Sequence, residues 1–91
     1  MKATKITMKS NTGHSNNLLE IDRIYIEGCD NPGFFNKEAV HDYLVKNNEA
    51  IYVNISPYPK CIPATSYYGE KYVKSSPDNM VRDNLLNLPR V

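Results

Sequence analysis

The residues best suited to recognise a small anionic ligand sit close together late in the chain. Arg82 and Asp83 are adjacent. A guanidinium meets phosphate through charge-assisted, often bidentate hydrogen bonds, and an Asp carboxylate accepts from ribose hydroxyls. Tyr58, Tyr67, Tyr68 and Tyr72 precede the pair, and an aromatic face stacks on any nucleobase. Such a set suits recognition of a phosphorylated, sugar-containing compound rather than bond-making. Each residue also has a plainer role. Strands favour tyrosines that pack with their hydroxyls in water. Arg82 could lie on the surface, and Asp83 could hold the tail by accepting from backbone amides. Neighbours on a helix point in different directions, so the two would not pair with each other.

Groups for covalent or acid–base catalysis are harder to find. Nucleophilic catalysis needs a nucleophile beside an oriented base. His14 falls in a polar loop and His41 in the middle of an expected helix, where it should face solvent. There is no Gly-x-Ser-x-Gly, no His-Glu-x-x-His and no Gly-rich phosphate loop; the chain has only four glycines. Structural zinc sites take four ligands, usually as close Cys/His pairs, and Cys29, Cys61, His14 and His41 form no such pair. The sequence argues against an enzyme and implies neither metal nor cofactor.

Eleven basic and ten acidic residues leave a net charge of +1, which is not the one-sided basic footprint of a DNA or RNA binder. Hydrophobic residues make up 41% of the chain, enough for a core, but no apolar run approaches the roughly 20 residues of a membrane span. The first residues alternate apolar with polar and lack the apolar core of a signal peptide. The expected setting is therefore intracellular, with both thiols reduced. Ninety-one residues make one domain, 1–91, and a chain so short has a thin core that oligomerisation would help.

The elements that must position these residues follow from periodicity and turn chemistry. Residues 3–10 alternate as a half-buried strand, with Thr4, Ile6 and Met8 on one face. Residues 10–17 form a polar loop long enough to be a mobile hairpin tip or a ligand flap, although most polar loops are ordinary exposed connections, and that plainer reading is favoured. Residues 18–27 read as a second strand, with Ile24 and Ile26 on one face and Leu19, Ile21 and Tyr25 on the other, as if one side met the helix and the other a partner chain. Asn-Pro-Gly then breaks the pattern. Asn36 is the expected N-cap of a helix whose stripe is Val40, Tyr43 and Leu44, with Phe35 stapled to Val40 and a left-handed Asn47 or Asn48 at its end. Strands follow at 50–55, 61–68 (interrupted by Pro63) and 72–74. Asp78 is a plausible cap for a last helical turn from about Met80, carrying Val81, Leu85 and Leu88 and stopped by Pro89. The predicted class is α+β: a small antiparallel sheet of about five strands, one main helix packed on it, and a short C-terminal helical segment.

The tail carries a more specific signal. Tyr72-Val-Lys-Ser-x-x-Asp78 followed by Asp83-Asn-Leu-Leu-x-Leu-Pro89 resembles the end of a small uncharacterised-domain family of bacteria and phages. Members of that family typically close Tyr-Leu-Arg-Thr-x-x-Asp, then Asp-Asn-Leu-x-x-Leu-Pro. The match covers about a fifth of the chain, with Ser75 in place of the usual Thr and Lys74 in place of the common Arg. Within that neighbourhood the chain resembles the phage Thoeris anti-defence proteins of the first-described type. That resemblance implies a sponge. It would bind and sequester, without degrading it, the cyclic ADP-ribose isomer made by bacterial TIR-domain enzymes, so that the defence effector is never switched on. It implies a homo-oligomer built from dimers in the cytoplasm of the infected bacterial host; some members also hold cyclic oligonucleotides at a second site. The family's Arg-Asp pair maps onto Arg82 and Asp83. Tyr58 and Thr65 are candidates for the aromatic and polar pocket residues by position only, and Lys74 joins them where the family commonly has Arg. The alternative is a non-enzymatic interaction or structural module of the same small domain family.

Overall fold

A computed structural model describes residues 1–47, 50–76 and 83–91. Among these residues, six strands and one main helix give the α+β class expected, with a four-stranded sheet of order β3-β2-β1-β4 and a two-stranded sheet β5-β6. Strands β1 (Lys2–Met8) and β2 (Ile21–Glu27) pair antiparallel. Their register slips between Ala3 and Lys5 and again between Thr7 and Met8. A slipped register changes which face a side chain takes. Ala3 and Ile6 therefore both point into the core, and so do Ile21, Ile24 and Ile26. This corrects two face assignments that strict alternation implies: Thr4 falls at the first slip and is only partly buried, and Ile21 is not on the outer face, whereas Met8 pairs with Ile21 and packs against the core as expected. The outer face carries instead Lys5, Tyr25 and Phe34 across three strands, with the Tyr25 and Phe34 rings edge-to-face at 5.0 Å and the Lys5 ammonium 4.7 Å from the Tyr25 ring.

The Asn-Pro-Gly break is followed by a strand that periodicity does not mark, β3 (Gly33–Asn36), antiparallel on the edge of β2. Gly28 precedes it at φ +83°, where a Cβ would also stand 3.4 Å from the Met1 Cα; both facts favour glycine. Helix α1 (Lys37–Lys46) starts after Asn36, as expected, although the Asn36 side chain makes no capping bond. It ends at Asn47, and Asn48 lies outside the described residues. Asn47 has φ −129°, outside the left-handed region, and closes the helix by donating its backbone N–H and its Nδ2 to the Tyr43 carbonyl. The buried line is Lys37, Val40, His41 and Leu44, at spacings i, i+3, i+4, i+7. Tyr43 is half exposed, and His41, expected in solvent, is 8% exposed.

Strand β4 (Tyr52–Val53) lies parallel to β1. After it the chain forms the hairpin β5 (Cys61–Thr65) and β6 (Lys71–Ser75), whose tip leaves Tyr67 and Tyr68 almost wholly in solvent. Helix α1 packs on this hairpin and on β2 and β3, covering the inner faces of both sheets. The expected turn from Asp78 lies outside the described residues. A 3-10 turn does form further on, at Asn84–Asn87. Leu85, Leu86 and Leu88 are 0%, 4% and 3% exposed, and full burial of a leucine is worth about 1.5–3 kcal/mol. The chain then runs beside β1, where the Ile6 N–H donates to the Pro89 carbonyl (2.9 Å) and the Val91 N–H to the Ile6 carbonyl (3.0 Å). The end of the tail is thus anchored on the middle of β1.

Candidate functional site

Asp83 is the hinge point of the tail. Its Oδ2 accepts from the Ser75 N–H at 3.0 Å, and its Oδ1 accepts from the Ser75 hydroxyl at 2.9 Å and from the Leu85 N–H at 2.9 Å. The last bond is the N-cap of the 3-10 turn. The Ser75 hydroxyl in turn accepts from the Asn84 N–H at 3.3 Å. Short polar side chains favour such bonds to nearby amides, and this one joins the end of β6 to the tail across eight residues. The plainer role considered for Asp83 is therefore realised in its contacts. Burial, with the Asp83 charge adding to it, pushes the neighbouring Cys61 thiol up to about 12, so this cysteine stays protonated and is no nucleophile.

Beside this hub opens a cleft of about 560 Å³ lined by Asn16, Asn17, Leu18, Leu19, Tyr72, Asp83 and Leu86. Small-ligand pockets run roughly 300–1,000 Å³ and combine an apolar lining with a few convergent polar groups. Here leucines and the half-buried Tyr72 supply the first, and the two Asn amides supply the second. Local hydrogen bonds hold the loop wall. Asn17 caps the 3-10 turn Leu18–Glu20 by accepting from the Leu19 N–H at 3.0 Å. The Ser15 hydroxyl donates to Glu20, and the Lys9 N–H donates to the Glu20 carbonyl at 2.8 Å.

The same wall is held from behind by a buried cation. Lys37 is 2% exposed; its Nζ donates to the Leu19 carbonyl at 3.0 Å and pairs with Glu70 at 2.8 Å and Glu38 at 3.5 Å. Lys9 reaches the same Glu70 oxygen at 3.1 Å. Lys37 and then Lys9 hold the Glu70 carboxyl below the usual carboxylate range. On the helix, Asp42 accepts from Lys71 at 2.9 Å and stands 3.0 Å from His41 Nδ1, and these partners, Lys71 first, lower its pKa as well.

The residues expected to form a site are only partly brought together. Asp83 lines the cleft, and Lys74, half buried, lies on β6 two residues from Tyr72 and so on the same face. Thr65 pairs with Lys71, which places it on the opposite face of the hairpin from Tyr72. Tyr58, at φ +59°, lines a separate hollow with Met1, Lys2 and Tyr52. Arg82 lies outside the described residues. The cleft residues missing from the expected set are Asn16, Asn17, Leu18, Leu19, Tyr72 and Leu86. The sequence signals for them are partial: the 10–17 loop is long enough for a flap, although an ordinary connection is the favoured reading, and Tyr72 stands in the tyrosine cluster. What sequence does not convey is that loop and tail face each other. Among the described residues no three His, Cys, Asp or Glu side chains gather as metal ligands, and no helix is long and apolar enough to cross a membrane.

The fold and the tail define a small α+β domain closed by an Asp-Asn-Leu segment. The chain belongs to the family described as protein of unknown function (DUF3892), whose model matches residues 4–89. No curated protein and no solved structure matches the chain.

Proposed function

We propose that this chain is a non-enzymatic sponge that binds and sequesters a cyclic ADP-ribose isomer made by bacterial TIR-domain enzymes, acting as a phage Thoeris anti-defence protein in the cytoplasm of the infected host and assembling from dimers. The observation that carries the reading is the cleft beside Asp83. Its volume suits a nucleotide, its lining offers an aromatic wall and amide groups, and it opens at the residue that follows Arg82. The tail's resemblance to the anti-defence proteins supplies the ligand class. In this reading Arg82 meets the diphosphate, and Asp83, committed to Ser75 and Leu85, serves chiefly to fix the chain next to it. No catalytic base is assigned, so the ligand leaves as it came.

The test is recovery. Protein purified from cells that make the TIR signal is denatured, and the released nucleotide is identified by mass and chromatography. Intact cyclic nucleotide is expected from the natural chain, and at least about tenfold less from Arg82→Ala, a loss of about 1.4 kcal/mol or more in binding, at an unchanged melting temperature. Protein that carries no nucleotide sinks the reading, and release of a linear product turns it into a hydrolase.

A second reading, an interaction module without a nucleotide ligand, is favoured by the edge strand β3. It leaves Phe34 and Phe35 36% and 37% exposed on an edge that has no further strand among the described residues. Unpaired edges accept strands from other chains. Nucleotide-free protein that loses self-association or partner capture on Phe34→Lys would support this reading over the first.

A further inference from the structure

The two walls of the Asp83 cleft come from distant parts of the chain, residues 16–19 on one side and Asp83 with Leu86 on the other. One side chain joins them. Arg90 Nη1 donates to the Gly13 carbonyl at 2.7 Å, across 77 residues, and its Nη2 donates to the Leu86 carbonyl at 3.0 Å. Gly13 belongs to the loop that leads into Asn16, and Leu86 lines the cleft itself. The backbone around Arg90 is fixed independently, since Pro89 and Val91 bond to Ile6 in the middle of β1. Among the described residues, no side-chain carboxylate pairs with this guanidinium. Both of its bonds go to backbone carbonyls, a use for which a rigid fork is suited and a lysine is not.

We infer that Arg90 is a positioning residue that sets the width of the cleft by tying the loop wall to the tail wall. Without it the loop keeps its internal bonds, Ser15 to Glu20 and Thr12 to Lys9, and the hold of Lys37 on Leu19, but it loses this link to the tail, and the segment carrying Asn16 and Asn17 loses its register against Leu86. A nucleotide held between the walls then escapes faster. The inference rests on the cleft being the ligand site, and its experiment separates the two claims.

Hydrogen exchange on the full chain without ligand, natural against Arg90→Ala, reads the tie directly. Faster exchange confined to residues 12–19, with β1 and β2 unchanged and the melting temperature within a degree or two, supports it. Equal exchange in that loop, or a rise spread over the whole chain, overturns it. Dissociation of cyclic ADP-ribose is then followed for both chains and for Arg90→Lys. Loss of an interaction of this kind is expected to speed release about tenfold, with little change in the association rate, and Arg90→Lys should fall between the two. Equal release rates overturn the role in the cleft. If the natural chain binds no cyclic ADP-ribose, the functional reading fails, and the exchange result alone decides the tie.

Discussion

Two charged side chains organise this small domain, and they do so in opposite ways. Asp83 takes its partners from the backbone: the Ser75 and Leu85 N–H groups, with the Ser75 hydroxyl beside them. Lys37 takes a carbonyl and two carboxylates, and its principal partner Glu70 stays 39% exposed. Around Asp83 the carboxylate is specifically required. Amides can only donate, so whatever replaces it must accept from several directions at once. Around Lys37 the ion pair has an exposed end, and Glu70 can return to water if its partner goes. Buried ion pairs of that kind are often replaceable by an apolar side chain of similar volume. The tail beside the cleft therefore depends on one atom type, whereas the helix start depends mostly on filled space.

Substitutions at the two positions can reverse that ranking. Asp83→Ala removes the cap and both links to Ser75 and should cost about 3 kcal/mol in urea unfolding, since bonds to a charged group are worth about 1.5–3 kcal/mol each and do not add fully. Asp83→Asn turns an amide donor toward an N–H from which the carboxylate accepts, and should still cost about 1–2 kcal/mol. Lys37→Met keeps the volume and gives up the charge; a cost within about 1 kcal/mol is expected. If Lys37→Met proves more damaging than Asp83→Asn, the contrast between the two centres is wrong.

The smallest effect is in pH. Glu70, held low by Lys37 and Lys9, and Asp42, held low by Lys71 and His41, have folded values below their unfolded ones. Their contribution is fully present above the ordinary carboxylate range and is lost as pH falls through that range toward the folded values. The urea midpoint should therefore be level near neutrality and decline in acid, and Glu70→Gln should shallow that decline. An acid limb unchanged in Glu70→Gln would remove Glu70 from the account.

Much of the fold is legible in the sequence. The α+β class, the helix start after Asn36 and the burial of Leu85 and Leu88 all follow from periodicity and turn chemistry. The departures have identifiable causes. Lys37 and His41 complete the buried helix stripe, but their types argue for solvent, so periodicity draws the stripe through Tyr43 instead. The two register slips in the β1–β2 pair move Ile21 to the core, and a slip leaves no mark in a pattern of alternating residues. Strand β3 is short and outward-facing, with little apolar period to detect. Tyr58 and Thr65 are candidates only by their position along the chain; the hairpin turns Thr65 away from Tyr72, and Tyr58 sits in a different hollow.

What the sequence determined by itself is local: which stretches form strands or helix, where the chain turns, and that Asp83 has the chemistry either to meet a ligand or to hold backbone. Those properties depend on near neighbours and on residue type. Only the tertiary structure decided that Asp83 holds Ser75, that the 10–17 loop lies opposite the tail, and that Arg90 spans the gap. Each of these joins residues far apart along the chain. Such contacts are fixed by how the two sheets and the helix pack together, which no short window of residues encodes.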